Sequence, residues 1–423
     1  MLTLLKAYSG RLAYMPIMAV AMILLMLKPV LMARFFVPEE FAAYSAGLLI
    51  SSTFCMLGCL GLQSELQRSM PVSFYAGRER EAFILLTQAC LVAVGCFFVL
   101  GFAGLSPLQV AGLGGAGLTI GLLHGLSQQL FLLSTIESRS RGETLRYSYQ
   151  LIWRAVFIVL VAVIVGWKTD SAVWTLSAEA VVSTVLAFGI LFRSIASARI
   201  MLLVRLATCR LARVKWTSAL TLMGVTVVAF ALINLDRWLA GTIMTARDFA
   251  VYAFAWVILT AAQSAQAMVN ASVFPALARK YAKSGAASSF KFAGTISLLF
   301  LVAGGVLAWP LCSLIDMGVA TYFPDYIGAT GIVTIFYFAG LLRFSNFFSS
   351  FLIVIGRERT LLVMNVSTLI VGVAGWFAVF GGRGFADLTL LACFTLWLTL
   401  LNYLMISVYT LFERGSFAKS PSP

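Results

Sequence analysis

Charge is what this chain has least of. Lys, Arg, Asp and Glu make up 11% of its 423 residues, while 61% are hydrophobic; in soluble domains about a quarter of residues are charged. That deficit excludes a soluble globular protein. There is one histidine, His124, and no CxxC pair among the seven cysteines, so a metal or catalytic centre built on imidazole and thiolate has too few ligands. Cys55 and Cys59 share a helix face at i, i+4, but a metal site needs more than two ligands. The stretch GGAGLTIG at Gly114 to Gly121 lacks the preceding strand and following lysine of a phosphate loop. Its small residues favour close helix packing instead. The formal charge of +14 does not take the form of a basic patch interleaved with aromatics, which excludes a nucleic-acid partner. The connections expected outside the membrane are short, the longest lying around TYFPDYIG, and they carry no carboxylate pair or His-based set. That argues against an enzyme, which needs such groups for acid–base work.

What is present is a succession of apolar runs, each near the roughly 20 residues that cross a hydrocarbon core as a helix. The pattern predicts about twelve spans, over 12–36, 42–66, 82–104, 108–133, 146–167, 172–192, 216–240, 249–272, 292–315, 327–355, 360–381 and 387–411. No cleavable signal peptide stands out, and the first run is expected to stay as the first helix. With the N-terminus in the cytoplasm, 22 of the 30 basic residues fall on inner segments, and only Arg34, Lys168, Arg247 and Arg383 fall on outer loops. This imbalance predicts cytoplasmic termini. The expected organisation is a six-helix lobe over 1–192, a basic cytoplasmic linker over 193–215, a second six-helix lobe over 216–412 and a disordered cytoplasmic tail over 413–423.

The two halves are related. A shift of 208 residues lays LKPVLMARFFVPEEFAAY (27–44) on LDRWLAGTIMTARDFAVY (235–252) without a gap, with identity at Leu27, Leu31, Phe41, Ala42 and Tyr44. Glu40 meets Asp248, and Lys28 meets Asp236. Six helices per half make this a parallel repeat about an axis along the membrane normal.

The same segments carry a family resemblance. PEEFAAYSAG followed by LGCLGLQSELQRSMP, and NLDRWLAGTIMTARDFAVYAFA followed by VFPALARKYAKSG, resemble the signature regions of bacterial polysaccharide flippases. These form the Wzx-like, polysaccharide-transport branch of the MOP superfamily, which also includes the MATE exporters and the lipid II flippase. Ala42 stands where family members typically have glycine. The resemblance implies two six-helix lobes around a central cavity, related by a pseudo-twofold axis, in the bacterial inner membrane. It implies as cargo an undecaprenyl-diphosphate-linked oligosaccharide for O-antigen or exopolysaccharide synthesis, flipped to the periplasmic leaflet by alternating access, with other polysaccharide-assembly proteins as candidate partners.

Charges inside the spans form a candidate site of their own, because ionisable groups in hydrocarbon are costly and mark transport paths. Arg343 is about 20 Å from the inner end of its span at Gly356, and Arg154 about 12 Å in from Arg146, at 1.5 Å per residue. Lys28 and Arg237 stand in the outer thirds of their helices. These four cations outnumber the deep acids Asp236 and Glu179, and the excess suits a diphosphate, since arginine binds phosphate oxygens bidentately. Arg343 is the expected central contact, with Asp236, Arg237 and Lys28 nearer the exit, Lys28 facing the other two across the pseudo-twofold. FSNFFSSF beside Arg343 is the one aromatic stretch expected to offer a sugar stack.

Several alternatives stay open. Arg237 and Arg154 could snorkel to the interfaces, with Asp236 as Arg237's local partner, and Arg343 could tie to Glu179 or a carbonyl. Asp236 and Glu179 are the acids to consider for H⁺ or Na⁺ coupling or for charge balance; His124 reads more simply as a packed bundle residue. No cofactor is expected. In function, the alternatives are a lipid II-like or teichoic precursor, MATE-type drug export, and a membrane-embedded glycan polymerase or ligase.

Overall fold

A computed structural model of the chain describes residues 14–102, 115–195 and 200–413. The expectations for the extreme N-terminus, the start of the fourth span, Arg199 and the tail fall outside the described residues. The regular structure within them is helical throughout, as hydrocarbon demands of a chain whose backbone must satisfy its own hydrogen bonds. This is an all-helical, multi-pass membrane protein. It divides into two compact units, Met1–Val227 and Val228–Pro423.

The first unit contains α1 (Tyr14–Phe35), α2 (Pro38–Leu57), α3 (Leu62–Tyr75), α4 (Glu79–Phe102), α5 (Gly115–Ser140), α6 (Thr144–Thr169), α7 (Ala172–Ile195) and the short α8 (Ile200–Cys209). Pro38 opens α2 at its first turn, where its missing N–H costs nothing. The α2–α3 corner is built on Leu60 and Gly61, both at positive φ. Gly61 is required there for a second reason: a Cβ would lie 1.8 Å from the carbonyl oxygen of Ala219, which comes from the start of α9 (Trp216–Ile243). Ser218 Oγ also donates to Glu65 Oε2 at 3.0 Å. Part of the segment expected as a linker is packed. Leu203 and Ala207 of α8 join the core formed by α3 and α4, and Gln88 Nε2 donates to the Ala207 carbonyl.

Among the described residues, eleven helices are long and apolar enough to cross a membrane, against the twelve expected. The shortfall is α5. It has the length, at 26 residues, but it buries His124, Ser127, Gln129, Ser134, Thr135, Glu137 and Ser138. A helix can carry this polarity when its neighbours are protein and not lipid, and α5 packs against α2, α4 and α7. Gly121 and Gly125 permit the approach to α2: a Cβ on Gly125 would fall 2.8 Å from Phe54 Cβ.

The second unit takes up the rest of α9, then α10 (Ala246–Tyr322), α11 (Thr330–Phe344), α12 (Phe347–Val354), α13 (Glu358–Phe380), the single turn α14 (Arg383–Ala386) and α15 (Leu388–Phe412). The spans expected over 249–272 and 292–315 lie on one 77-residue helical run, broken at Gly285 by a positive φ. The span expected over 327–355 is interrupted instead of continuous. Residues 324–329 form a 3₁₀ turn, and the helix stops again after Phe344, at Ser345 and Asn346. Asn and Ser favour such a break because their side chains compete for backbone groups. Asn346, at φ −80° and ψ 70°, caps α12 by accepting from the Ser349 N–H. The break falls two residues after Arg343.

Candidate functional site

Each unit holds a set of buried polar groups, and the six charged residues expected to form a site fall into these two sets. In the first unit, α7 supplies Glu179, fully buried. Its carboxylate accepts from the Lys28 ammonium of α1, from the Tyr44 hydroxyl of α2 at 2.8 Å and lies 3.2 Å from His124 Nε2 of α5. His124 Nδ1 meets Ser51 Oγ at 2.8 Å. The carboxylate thus favours the proton on Nε2, leaving Nδ1 to accept from the serine. Four helices meet at one carboxylate whose partners saturate it. Arg154 of α6 is also buried, with its guanidinium 4.5 Å over the Phe131 ring, an arrangement that favours a cation through the ring quadrupole. Its Nε is buried and makes no hydrogen bond.

In the second unit, α9 supplies Asp236, which accepts from the Tyr252 hydroxyl of α10 at 2.8 Å and the Thr395 hydroxyl of α15 at 2.7 Å. Arg237, its neighbour in sequence, is not its ion-pair partner. The Arg237 guanidinium lies 4.3 Å over the Trp256 ring, and its Nε is buried without a partner. Arg343, on the last turn of α11, donates through Nε to Thr399 Oγ1 at 3.2 Å, and Thr399 in turn donates to the Thr395 carbonyl. Its Nη1 is buried with no hydrogen bond. Glu179 is occupied by partners within its own unit.

Arg343 lines a cavity of about 210 Å³ inside the second unit, at the α11–α12 break. Gln263, Asn346, Asn365, Thr399 and Asn402 share its wall. The aromatic stack expected of FSNFFSSF does not form there. Phe347 and Phe351 are fully buried and Phe348 nearly so, packed in a core with Phe290, and Phe344 meets Phe300 edge-on at 4.6 Å. Their apolar area is worth more in that core than on a wet wall.

Sequence reasoning brought out the charges and passed over the groups that hold them. Tyr44 and Tyr252 occupy matching places in the 208-residue repeat, and both are fully buried on a carboxylate. The polar residues Thr395, Thr399 and Asn402 recur at i, i+4 and i+7 along the mainly apolar α15. That spacing puts them on one helix face, a signal that the residue pattern alone carries.

No family model matches the sequence, and no curated protein matches it. Solved structures do share its fold. An inward-facing multidrug resistance MATE family transporter of the MOP superfamily aligns over 96% of this chain and 99% of its own, with a TM-score of 0.67 at 12% identity. The lipid II flippase MurJ, in an inward closed conformation, aligns over 97% and 94% with a TM-score of 0.58 at 14% identity. A MOP superfamily transporter from Pyrococcus furiosus, described as having a binding pocket of reverse polarity that suggests a different function, aligns over 96% and 95% with a TM-score of 0.56 at 12% identity. The chain therefore has the fold of MOP superfamily transporters.

Proposed function

We propose that this protein is a transporter of the MOP type that moves an anionic, lipid-linked oligosaccharide across the bacterial inner membrane by alternating access. The cargo is an undecaprenyl-diphosphate-linked repeat unit, carried from the cytoplasmic to the periplasmic leaflet for surface polysaccharide synthesis. The single observation that carries this reading is Arg343: a guanidinium N–H is buried without a partner on the wall of a polar cavity beside a broken helix. Transporters characteristically place substrate groups at such breaks, where irregular backbone lines a cavity. A partly buried guanidinium with a buried N–H left unsatisfied is costly and is relieved by an anion that takes that N–H. A cationic drug would add repulsion at the same place. The fold serves more than one substrate, as the drug exporters and the lipid II flippase among its relatives in structure illustrate, so the polarity of the pocket is what chooses between them.

Deletion of the gene in its host tests the direction and substrate of transport. Lipid-linked repeat units should accumulate where only cytoplasmic probes reach them. Accumulation of single units on the periplasmic face would instead point to a polymerase or ligase step and overturn the reading.

A further inference from the structure

The cavity beside Arg343 has a second chemical character, separate from its cation. Its wall is rich in neutral amides, and several of their hydrogen-bonding groups are unused. Gln263 Nε2 is buried with no partner. Asn402 spends its Nδ2 on Asn365 Oδ1 at 2.9 Å and, more distantly, on Thr368 Oγ1. That leaves Asn402 Oδ1 as an acceptor and Asn365 Nδ2 as a donor, both on residues of the cavity wall. Donors and acceptors alternate there, whereas a phosphate oxygen is acceptor-only and would conflict with Asn402 Oδ1. Vicinal hydroxyls, each both donor and acceptor, fit such an alternation. Leu232, Ile233 and Leu398 add an apolar side to the same cavity, suited to the C–H face of a ring. The volume of about 210 Å³ leaves room for one sugar ring.

We propose that this cavity is a sugar subsite for the single ring next to the phosphate that Arg343 binds, and that Gln263, Asn365 and Asn402 read its hydroxyls. The subsite rests on the reading of Arg343 as the anion contact and gives that site its specificity. A site built to hydrogen-bond hydroxyls discriminates strongly against ligands that leave its polar groups unpaired.

The test is a binding titration on the purified full-length chain in nanodiscs. The probes are inorganic phosphate and the 1-phosphates of glucose, galactose and N-acetylglucosamine. In the wild type, at least one sugar 1-phosphate should bind about tenfold or more tighter than inorganic phosphate. Asn402→Leu and Gln263→Leu should bring that advantage to within about twofold while phosphate binding persists, and thermal unfolding in the same nanodiscs verifies that each variant is folded. Asn402→Ser, which keeps a hydroxyl, should fall between them and serves where the leucine variant does not fold. A wild type that binds phosphate with no advantage for any of the three sugars overturns the subsite and leaves Arg343 standing. The same holds for an advantage unchanged in both leucine variants. Arg343→Gln binding phosphate as the wild type does overturns the anion site itself.

Discussion

The two units hold their buried carboxylates in different ways. Around Glu179, charge is closed: an ammonium, a phenol and an imidazole from three other helices take up the carboxylate. Around Asp236, a phenol and a hydroxyl take up the acid and no cation pairs with it; Arg237 and Arg343 keep buried nitrogens with no partner, as Arg154 alone does among the cations of the first unit's site. The repeat sharpens the contrast. Tyr44 and Tyr252 match in position and in role, but the place of Lys28 in the first unit is taken by Asp236 in the second. One framework has thus been charged in two ways. A saturated network fastens helices to one another, while an unsaturated one keeps bonding capacity for something that arrives later.

The largest effect that would break this contrast is on the closed side. Glu179→Leu strands the Lys28 ammonium in the interior and should cost roughly 3–5 kcal/mol, read as a large drop in unfolding temperature in detergent. Pairing it with Lys28→Met should recover most of the loss, since a packed apolar pair replaces a buried ion pair at little cost. A Glu179→Leu variant as stable as the wild type would remove the structural role of the network. Next comes the phenol. Tyr44→Phe and Tyr252→Phe should each cost about 1–3 kcal/mol, the range for hydrogen bonds to charged groups and for stranded buried ones. Chemical denaturation of the two variants side by side checks whether the matching positions carry matching weight. Smaller still, Arg237→Lys exchanges a guanidinium stacked on Trp256 for a point charge and should shift stability by about 1 kcal/mol or less, measurable as a shift of the melting curve. On the open side the sign reverses. Arg343→Gln removes a partly buried, incompletely paired cation, so its melting temperature should equal or exceed that of the wild type.

Much of this was legible in the sequence because the bilayer permits few solutions. Long apolar runs can only be helices, and the paired FAxY segments of the repeat mark α2 and the start of α10, where Phe41, Tyr44, Phe249 and Tyr252 are all buried. The polar α5 was also legible, as the run expected over 108–133, although its buried polar residues make it the least apolar of the expected spans. The break after Arg343 was hidden because Ser345 and Asn346 are only two residues in an apolar context, and hydropathy averages over many more. The hydroxyl and amide stripe on α15 was written in the spacing of Thr395, Thr399 and Asn402. Its meaning needed Asn365, from a different helix, to be brought within hydrogen-bonding distance of Asn402.

The unsatisfied Arg343 is where function is proposed to reside, and glycan export in a host whose only copy of the gene carries Arg343→Gln tests this most directly. With the variant present in the membrane at the wild-type level, export should be lost and lipid-linked repeat units should build up on the cytoplasmic face. Export at the wild-type rate from that variant would contradict the assignment.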